Sequence, residues 1–311
     1  MMRLNVPMIT SAALVDKLLS RNVFTVFDFL QRPNLDLQDI CNLSCKEVSK
    51  LKDNIMISYC SDFINAFILY SNSSTNCIQT GIVNLDELLN GGLRYGNIYE
   101  FCGPSACGKT QLCYSIISNI SITSRNIIFI DTKCEFSIKR IKEIIYHTYH
   151  VSKNQMKVAL DKIHVYSILE IYSLISCLHS LKEKSELIII IDSIPVLYLP
   201  FVGSSKNEGL CFMNHIHSIL KRLCKNKSIV LLTNLAVKNC DFSNEDVTSL
   251  STKQTEYKPA IGKYWLHVPS TRLMLTSKQS QQYVINVTIS KSVNLPINKN
   301  CILTLNNKGV L

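Results

Sequence analysis

The stretch that decides the fold is Gly103-Pro-Ser-Ala-Cys-Gly-Lys-Thr110. It fits the pattern GxxxxGK followed by Ser or Thr, whose glycines let the backbone bend until its N–H groups converge on phosphate oxygens. Residues 97–101 before it are typical of a short strand. The residues from 110 onward are typical of a helix, whose N-terminus adds partial positive charge. The stretch therefore predicts a site for ATP, with Lys109 on the β- and γ-phosphates and the Thr110 hydroxyl on Mg²⁺.

An apolar strand that ends in an acid supports this interpretation. Leu187-Ile-Ile-Ile-Ile-Asp192 has the composition of a buried strand. In proteins with a phosphate loop, an acid at the end of such a strand lies beside the loop and holds the metal through water. The alternative is an ordinary acid at a strand end. Given the phosphate loop, we favour the metal-linked role for Asp192.

Strands and helices alternate along the rest of the chain. Short β-branched runs predict buried strands, and segments of helical length separate them. The predicted strands are residues 97–101, 127–130, 163–166, 187–191 and 229–232, and the predicted helices are residues 110–119, 138–149, 169–181 and 210–223. This alternation predicts an α/β fold with a mostly parallel central sheet. Two later strands, residues 273–276 and 283–290, are expected to continue the sheet in the antiparallel direction.

The N-terminal part of the chain predicts short helices instead. Residues 8–60 hold four segments with helical spacing of apolar residues, and Ser44 followed by Glu47 is a capping-box pattern. Residues 71–76 are polar and without periodicity, which is typical of a linker. We expect a small all-α N-terminal domain at residues 1–62, a linker at residues 63–79 and the α/β core at residues 80–311.

Composition narrows the class of protein. Of 311 residues, 47% are hydrophobic and 18% charged, and the formal net charge of +10 favours acidic partners, nucleic acid first. A mildly basic soluble protein without such a partner would have the same composition. The 13 cysteines are odd in number and irregular in spacing, so they predict reduced thiols of the cytosol or nucleus. The apolar runs are too short to span a bilayer, and the N-terminus lacks the apolar core of a secretory signal.

Several segments resemble the eukaryotic RecA-like DNA recombinases of the RecA/RadA superfamily. Thr80-Gly-Ile-Val-Asn-Leu-Asp-Glu-Leu-Leu-Asn-Gly-Gly resembles the start of their core, and residues 103–113 resemble their phosphate loop. Ile130-Asp-Thr132 and Leu232-Thr-Asn234 resemble two later strand ends. Gly262-Lys-Tyr-Trp-Leu-His-Val-Pro-Ser-Thr-Arg272 is most similar to the D-type paralogues of homologous recombination repair. The resemblance covers nearly the whole chain and implies a RecA-like P-loop ATPase core.

The resemblance also implies which residues bind the cofactors ATP and Mg²⁺. Arg140 matches the arginine that stacks on adenine, although a solvated helix face beside Lys139 explains it equally well. Thr110 and Asp192 are the expected metal residues, Asp192 through water. The expected cofactor-binding residues are Gly103, Pro104, Ser105, Ala106, Cys107, Gly108, Lys109, Thr110, Gln111, Arg140 and Asp192.

Two departures from the family pattern bear on catalysis. Where the recombinases have the glutamate that orients the attacking water, this chain has Lys133, which cannot accept a proton while charged. Losing such a group costs about two or more orders of magnitude in rate. Glu135, two residues on, is the catalytic candidate that remains. Leu235 stands where the family has a glutamine that senses the γ-phosphate, so we expect ATP binding with at most weak DNA-stimulated ATPase activity.

Two loops of this family approach DNA. They correspond to residues 200–208 and 238–259, and neither is strongly basic, so phosphate contacts would be modest and sensitive to salt. Ordinary surface loops are the alternative. The DNA-binding candidates are Lys206, Lys253, Lys258, Lys263 and Arg272.

Two further features each have two interpretations. Trp265 either stacks on a base or anchors the core. Phe63-Ile-Asn-Ala66 has the form of the family's filament-linking motif, but its apolar surroundings suit a buried linker helix at least as well.

The resemblance and the departures together favour a recombination mediator. They imply an ATP-binding paralogue of homologous recombination and double-strand break repair, active in the nucleus as part of a hetero-oligomer. With other recombinase paralogues it would load or stabilise the main recombinase on single-stranded DNA. One alternative is a self-sufficient DNA-dependent ATPase with strand-exchange activity, against which Lys133 and Leu235 argue. Another is a phosphotransferase for a small molecule, but we find no arginine-rich lid segment of the kind that nucleotide kinases have.

Overall fold

The chain folds into two compact units. The computed structural model describes residues 12–59, 65–73, 76–123, 125–201, 208–238, 257–277 and 283–311. The units are Met1–Ser73 and Ser74–Leu311, and each has a hydrophobic core of its own. The phosphate loop belongs to the second unit.

The N-terminal unit is built of short helices, as the sequence predicts. Its helices are α1 (Ala12–Ser20), α2 (Val26–Gln31), α3 (Asn34–Cys41), α4 (Cys45–Tyr59) and α5 (Ala66–Ser73). The predicted capping box before α4 is formed, because the Ser44 N–H donates to the Glu47 carboxylate at 2.8 Å and the Glu47 N–H donates to the Ser44 hydroxyl at 3.4 Å. Leu18 and Phe29 pack in the core that α1 to α4 share. The helix α5 lies in the segment predicted as a linker, and Phe63 lies outside the described residues.

The second unit alternates strands and helices around one mixed sheet. Its strands are β1 (Cys77–Ile78), β2 (Leu93–Arg94), β3 (Ile98–Gly103), β4 (Ile127–Asp131), β5 (Ile163–Ser167), β6 (Ile188–Asp192), β7 (Ile229–Lys238), β8 (Tyr257–Pro259), β9 (Thr271–Ser277), β10 (Val284–Ser292), β11 (Asn300–Asn306) and β12 (Gly309–Val310). Its helices are α6 (Val83–Leu88), α7 (Lys109–Ile122), α8 (Ile138–Tyr149), α9 (Lys153–Asp161), α10 (Ile171–Ser180), α11 (Ile194–Tyr198) and α12 (Glu208–Lys225). Within the described ranges, none of these helices has both the length and the apolar composition that crossing a membrane requires.

The centre of the sheet is parallel, as predicted. The strand order is β12-β11-β10-β9-β3-β7-β6-β4-β5, with β8 paired to β7, while β1 and β2 form a separate pair. From β9 to β5 every neighbouring pair is parallel. The strands β3, β4 and β6 are buried along their whole length, since α7 and α8 pack on one face and α10 and α12 on the other.

The predicted direction of residues 273–276 is wrong. The strand that contains them, β9, runs parallel to β3, and the antiparallel part of the sheet begins only at β10. The alternation of apolar and polar residues misled the prediction, because it reports that one face of a strand is more buried and carries no information on strand direction.

Candidate functional site

The phosphate loop joins the end of β3 to the start of α7. The strand ends at Gly103 and the helix begins at Lys109, so the loop leads directly into a helix N-terminus, as predicted. Gly108 has φ of +91°, and a Cβ there would come within 2.5 Å of the Ile285 side chain. The left-handed backbone conformation therefore favours glycine at this position.

A cavity of about 470 Å³ opens over the loop. The strands β3, β6 and β4 end at this edge of the sheet, where the carboxyl ends of parallel strands form a binding crevice, and β7 passes through it between β3 and β6. The cavity is lined by residues 105–111 of the loop and helix start, by Lys133, Glu135, Ser193, Pro195, Val196 and Leu199, by Asn234 and Leu235, and by Leu305. The loop residues predicted from the motif thus share one cavity with residues that follow β4 and β6 and with residues of β7 and β11.

The ammonium group of Lys109 lies over the loop. It donates to the carbonyl oxygens of Gly103 and Pro104 at 2.8 and 2.6 Å and contacts the Cys107 sulfur at 3.6 Å. An ammonium has three donors. Binding a phosphate therefore requires Lys109 to exchange at least one of these contacts for a phosphate oxygen.

The carboxylate of Asp192 is the centre of the polar contacts in the site. Thr110 Oγ1 donates to its Oδ2 at 2.6 Å, and Thr233 Oγ1 donates to its Oδ1 at 2.5 Å. The ammonium of Lys133 lies 3.6 Å from the same Oδ1. Thr110 and Asp192 are thus brought together, and a hydroxyl beside a carboxylate is the kind of oxygen donor set that Mg²⁺ prefers. The contact between Thr233 and Asp192 was not predicted from the sequence. The polar residues Thr233 and Asn234 after an apolar run were the available signal.

A structured turn after β4 holds Lys133 in place. The Asp131 carboxylate accepts the N–H groups of Lys133 and Phe136 at 3.0 and 2.8 Å. Glu135 lies in the same turn and lines the cavity. Its role as a catalytic group stays a prediction.

Asn234 contributes an unpaired polar atom beside the cavity. Its Nδ2 donates to Glu100 at 2.7 Å, whereas its Oδ1 is buried and has no hydrogen-bond partner among the described residues. A buried carbonyl oxygen without a partner is costly unless a ligand or water satisfies it. The residues present therefore fit a hydrated polar ligand such as a magnesium-bound triphosphate.

A buried network around Glu100 was not predicted from the sequence. Glu100 is fully buried, and its carboxylate accepts the Asn234 amide and the Trp265 indole N–H, each at 2.7 Å, and the Arg272 guanidinium. An acid inside the otherwise apolar strand β3 was the available signal. Arg272 is only 5% exposed and Trp265 is fully buried. This burial and the pairing with Glu100 disfavour a DNA contact of Arg272, and Trp265 anchors the core.

Arg140 lies at the side of the cavity, at the start of α8. Its Nε donates to Gln111 Oε1 at 3.0 Å, and its Nη2 donates to the Asn306 carbonyl at 2.6 Å. It lines a shallow second cavity, which shares Thr110, Gln111 and Glu135 with the first. Stacking of Arg140 on adenine stays a prediction.

Two of the remaining DNA candidates, Lys258 and Lys263, do not line the cavity. Lys258 in β8 and Lys263 in a short 3-10 helix are exposed. Lys206 and Lys253 lie outside the described residues. The proposed DNA contacts of these four lysines stay predictions.

Cysteines near the loop are part of its packing. Burial raises the pKa of the Cys107 thiol and raises that of Cys102 to about 12. All cysteines in the described ranges are free, and those ranges contain no cluster of three or more His, Cys, Asp or Glu side chains that could hold a metal ion. The Cys102 and Cys107 thiols, with their raised pKa, are therefore neutral near pH 7 and act as small apolar side chains.

Comparison with known proteins agrees with the resemblance. Residues 71–311 match the family model described as Rad51. DNA repair protein RAD51 homolog 4 of Bos taurus is 28% identical over 91% of this chain and 88% of its own length, and that of Mus musculus is 26% identical over 84% and 80%. DNA repair protein RAD51 homolog 2 of Homo sapiens is 27% identical over 97% of this chain and 86% of its own length.

A solved structure supports the RecA-like fold. The crystal structure of the RadB recombinase superposes with a TM-score of 0.59 at 19% sequence identity, covering 75% of this chain and 97% of that one. At this identity the likeness speaks for the fold alone.

Proposed function

This chain belongs to the Rad51 family, and on that premise we propose that it is an ATP-binding recombinase paralogue of homologous recombination and double-strand break repair. It assembles with other paralogues in the nucleus and helps to load or stabilise the main recombinase on single-stranded DNA. The names of the RAD51 homologs to which it is similar support the link to DNA repair. The D-type pattern around Trp265 supports a paralogue that works with partners.

The observation that carries the ATP part of the proposal is the contact between Thr110 and Asp192. A residue at the start of α7 and a residue at the end of β6, 82 positions apart in the chain, meet at 2.6 Å beside the phosphate loop. When bound, Mg²⁺ supplies charge that neutralises the phosphates. Lys109 would hold the β- and γ-phosphates, and Thr110 and Asp192 would hold the ion. Asn234 Oδ1, which has no hydrogen-bond partner among the described residues, would accept a hydrogen bond from the hydrated ligand.

The arrangement after β4 supports slow hydrolysis. Lys133 stands where the family has a water-orienting glutamate, and its ammonium pairs with Asp192 at 3.6 Å, so it offers no free base to the attacking water. ATP then acts mainly by staying bound, and it stabilises one conformation of this chain or its interface with a partner. Lys258 and Lys263 are the described residues that we propose to contact DNA phosphates, with an affinity that falls as salt rises.

The test is co-expression with other Rad51 paralogues from the same organism. We expect a complex that co-elutes in gel filtration with ATP bound, and hydrolysis of about 1% or less of the rate of a family member that has the glutamate. Lys109→Ala in the same complex is the control for contaminating ATPase activity. A chain that stays monomeric with every paralogue would contradict the mediator role. Brisk turnover stimulated by single-stranded DNA would instead favour a self-sufficient strand-exchange enzyme.

A further inference from the structure

The cavity over the phosphate loop contains two ammonium groups that come from different parts of the sheet. Lys109 follows β3 and Lys133 follows β4, and β7 and β6 lie between these strands. The acidic side chains beside them are Asp192, which is paired with Lys133, Asp131, which accepts the Lys133 and Phe136 N–H groups, and Glu135. The two ammonium groups therefore approach the cavity from two directions.

The charge at position 133 is the reverse of the family pattern. A glutamate carries −1 and a lysine +1, so Lys133 changes the local charge by +2, which is the charge of one Mg²⁺ ion. This change sits beside the metal residues themselves, because Lys133 Nζ is 3.6 Å from Asp192 Oδ1 and Asp192 Oδ2 is 2.6 Å from Thr110 Oγ1.

The position of Lys133 is built into the fold. The Asp131 carboxylate fixes the turn through two backbone N–H groups, and Thr132 ties this turn to the end of β6 through hydrogen bonds with Ser193 at 2.7 and 2.8 Å. The Lys133 side chain is 32% exposed. Its ammonium is thus placed next to the phosphate site yet remains free to turn from Asp192 to a phosphate oxygen.

We propose that Lys133 takes over part of the work of magnesium, so that the chain holds a nucleoside triphosphate with little dependence on a divalent cation. The inference rests on the proposed binding of ATP at this loop. Lys133 contacts the terminal phosphate when the ion is absent. When the ion is present, Lys133 competes with it for Asp192 and lowers its affinity. The result is a nucleotide that stays bound and is hydrolysed slowly.

The experiment measures ATP binding by equilibrium dialysis with the full chain, in Mg²⁺ and in EDTA. For the wild type, removing Mg²⁺ is expected to weaken ATP binding by about threefold or less. For Lys133→Met, removing Mg²⁺ is expected to weaken ATP binding by a factor about ten to a hundred times larger than in the wild type. This difference is the range of one charge-assisted hydrogen bond. ATP binding by Lys133→Glu should depend on Mg²⁺ more than that of the other variants. In Lys133→Arg, the dependence of ATP affinity on Mg²⁺ should resemble that of the wild type.

Lys142→Met is the matched control, because Lys142 is an exposed lysine of α8, outside both cavities. Its ratio of ATP affinities in Mg²⁺ and EDTA should equal that of the wild type. An equal loss of affinity in EDTA for the wild type and Lys133→Met would overturn the inference and leave ATP binding intact. If the wild type binds no ATP even with Mg²⁺, the proposed function fails and this inference fails with it.

Discussion

Replacing Lys109 with alanine is expected to remove most of the ATP affinity of this chain. Its ammonium lies over the phosphate loop, with contacts at 2.6 to 3.6 Å that it can exchange for phosphate oxygens. A charge-assisted hydrogen bond in a partly desolvated site contributes about 1.5–3 kcal/mol, so we expect a loss of about a hundredfold in affinity. Isothermal titration calorimetry with ATP and Mg²⁺ measures it.

Two further variants separate this effect from damage to the loop. Lys109→Arg keeps the charge and the contacts to the loop carbonyls within reach, and it should retain part of the affinity that alanine loses. Lys142→Ala removes an exposed lysine from α8 and should bind ATP as the wild type does. Unchanged affinity in Lys109→Ala would mean that ATP binds at another place on the chain.

Replacing Arg272 with methionine is expected to destabilise the second unit by about 3–5 kcal/mol. The guanidinium pairs with the fully buried Glu100, and removing one partner leaves the other charge buried and uncompensated. The chain has one tryptophan, Trp265, which is fully buried and donates to Glu100. Its fluorescence during urea unfolding therefore reports on the packing around this network.

The matched control is Arg125→Met, which breaks an exposed ion pair. Arg125 lies 2.8 Å from Glu186, and both side chains are at least 40% exposed. Such pairs contribute about 0–1 kcal/mol, so the unfolding midpoint should hardly move. In the double variant Glu100→Gln with Arg272→Met, the buried charge is gone and part of the lost stability should return. Equal stability of Arg272→Met and Arg125→Met would show that the buried pair contributes no more than a surface pair.

The local signals in this sequence predict much of the fold. The helix predicted at residues 138–149 is α8 with the same bounds, because its apolar residues repeat at the helical period and Ser137 caps it. The phosphate loop and Asp192 were found because the chemistry of phosphate binding constrains neighbouring residues in the chain. Such constraints are visible without any knowledge of tertiary structure.

Long-range contacts were beyond what the sequence could predict. Glu100 and Arg272 lie 172 positions apart, and neither position alone indicates a buried pair. Arg272 was therefore interpreted as a basic residue for DNA. The pairing of Lys133 with Asp192 also depends on β4 and β6 being neighbours in the sheet. The short helix α11 and the polar helix α9 were missed because neither has a long apolar stripe.

The most direct measurement of the central claim is a crystal structure with a non-hydrolysable ATP analogue and Mg²⁺. We predict the triphosphate between the backbone amides of residues 105–110, with Lys109 Nζ turned from the Gly103 and Pro104 carbonyls to the β- and γ-phosphates and the ion next to Thr110. A nucleotide bound elsewhere, with Lys109 still bonded to both carbonyls, would contradict the account.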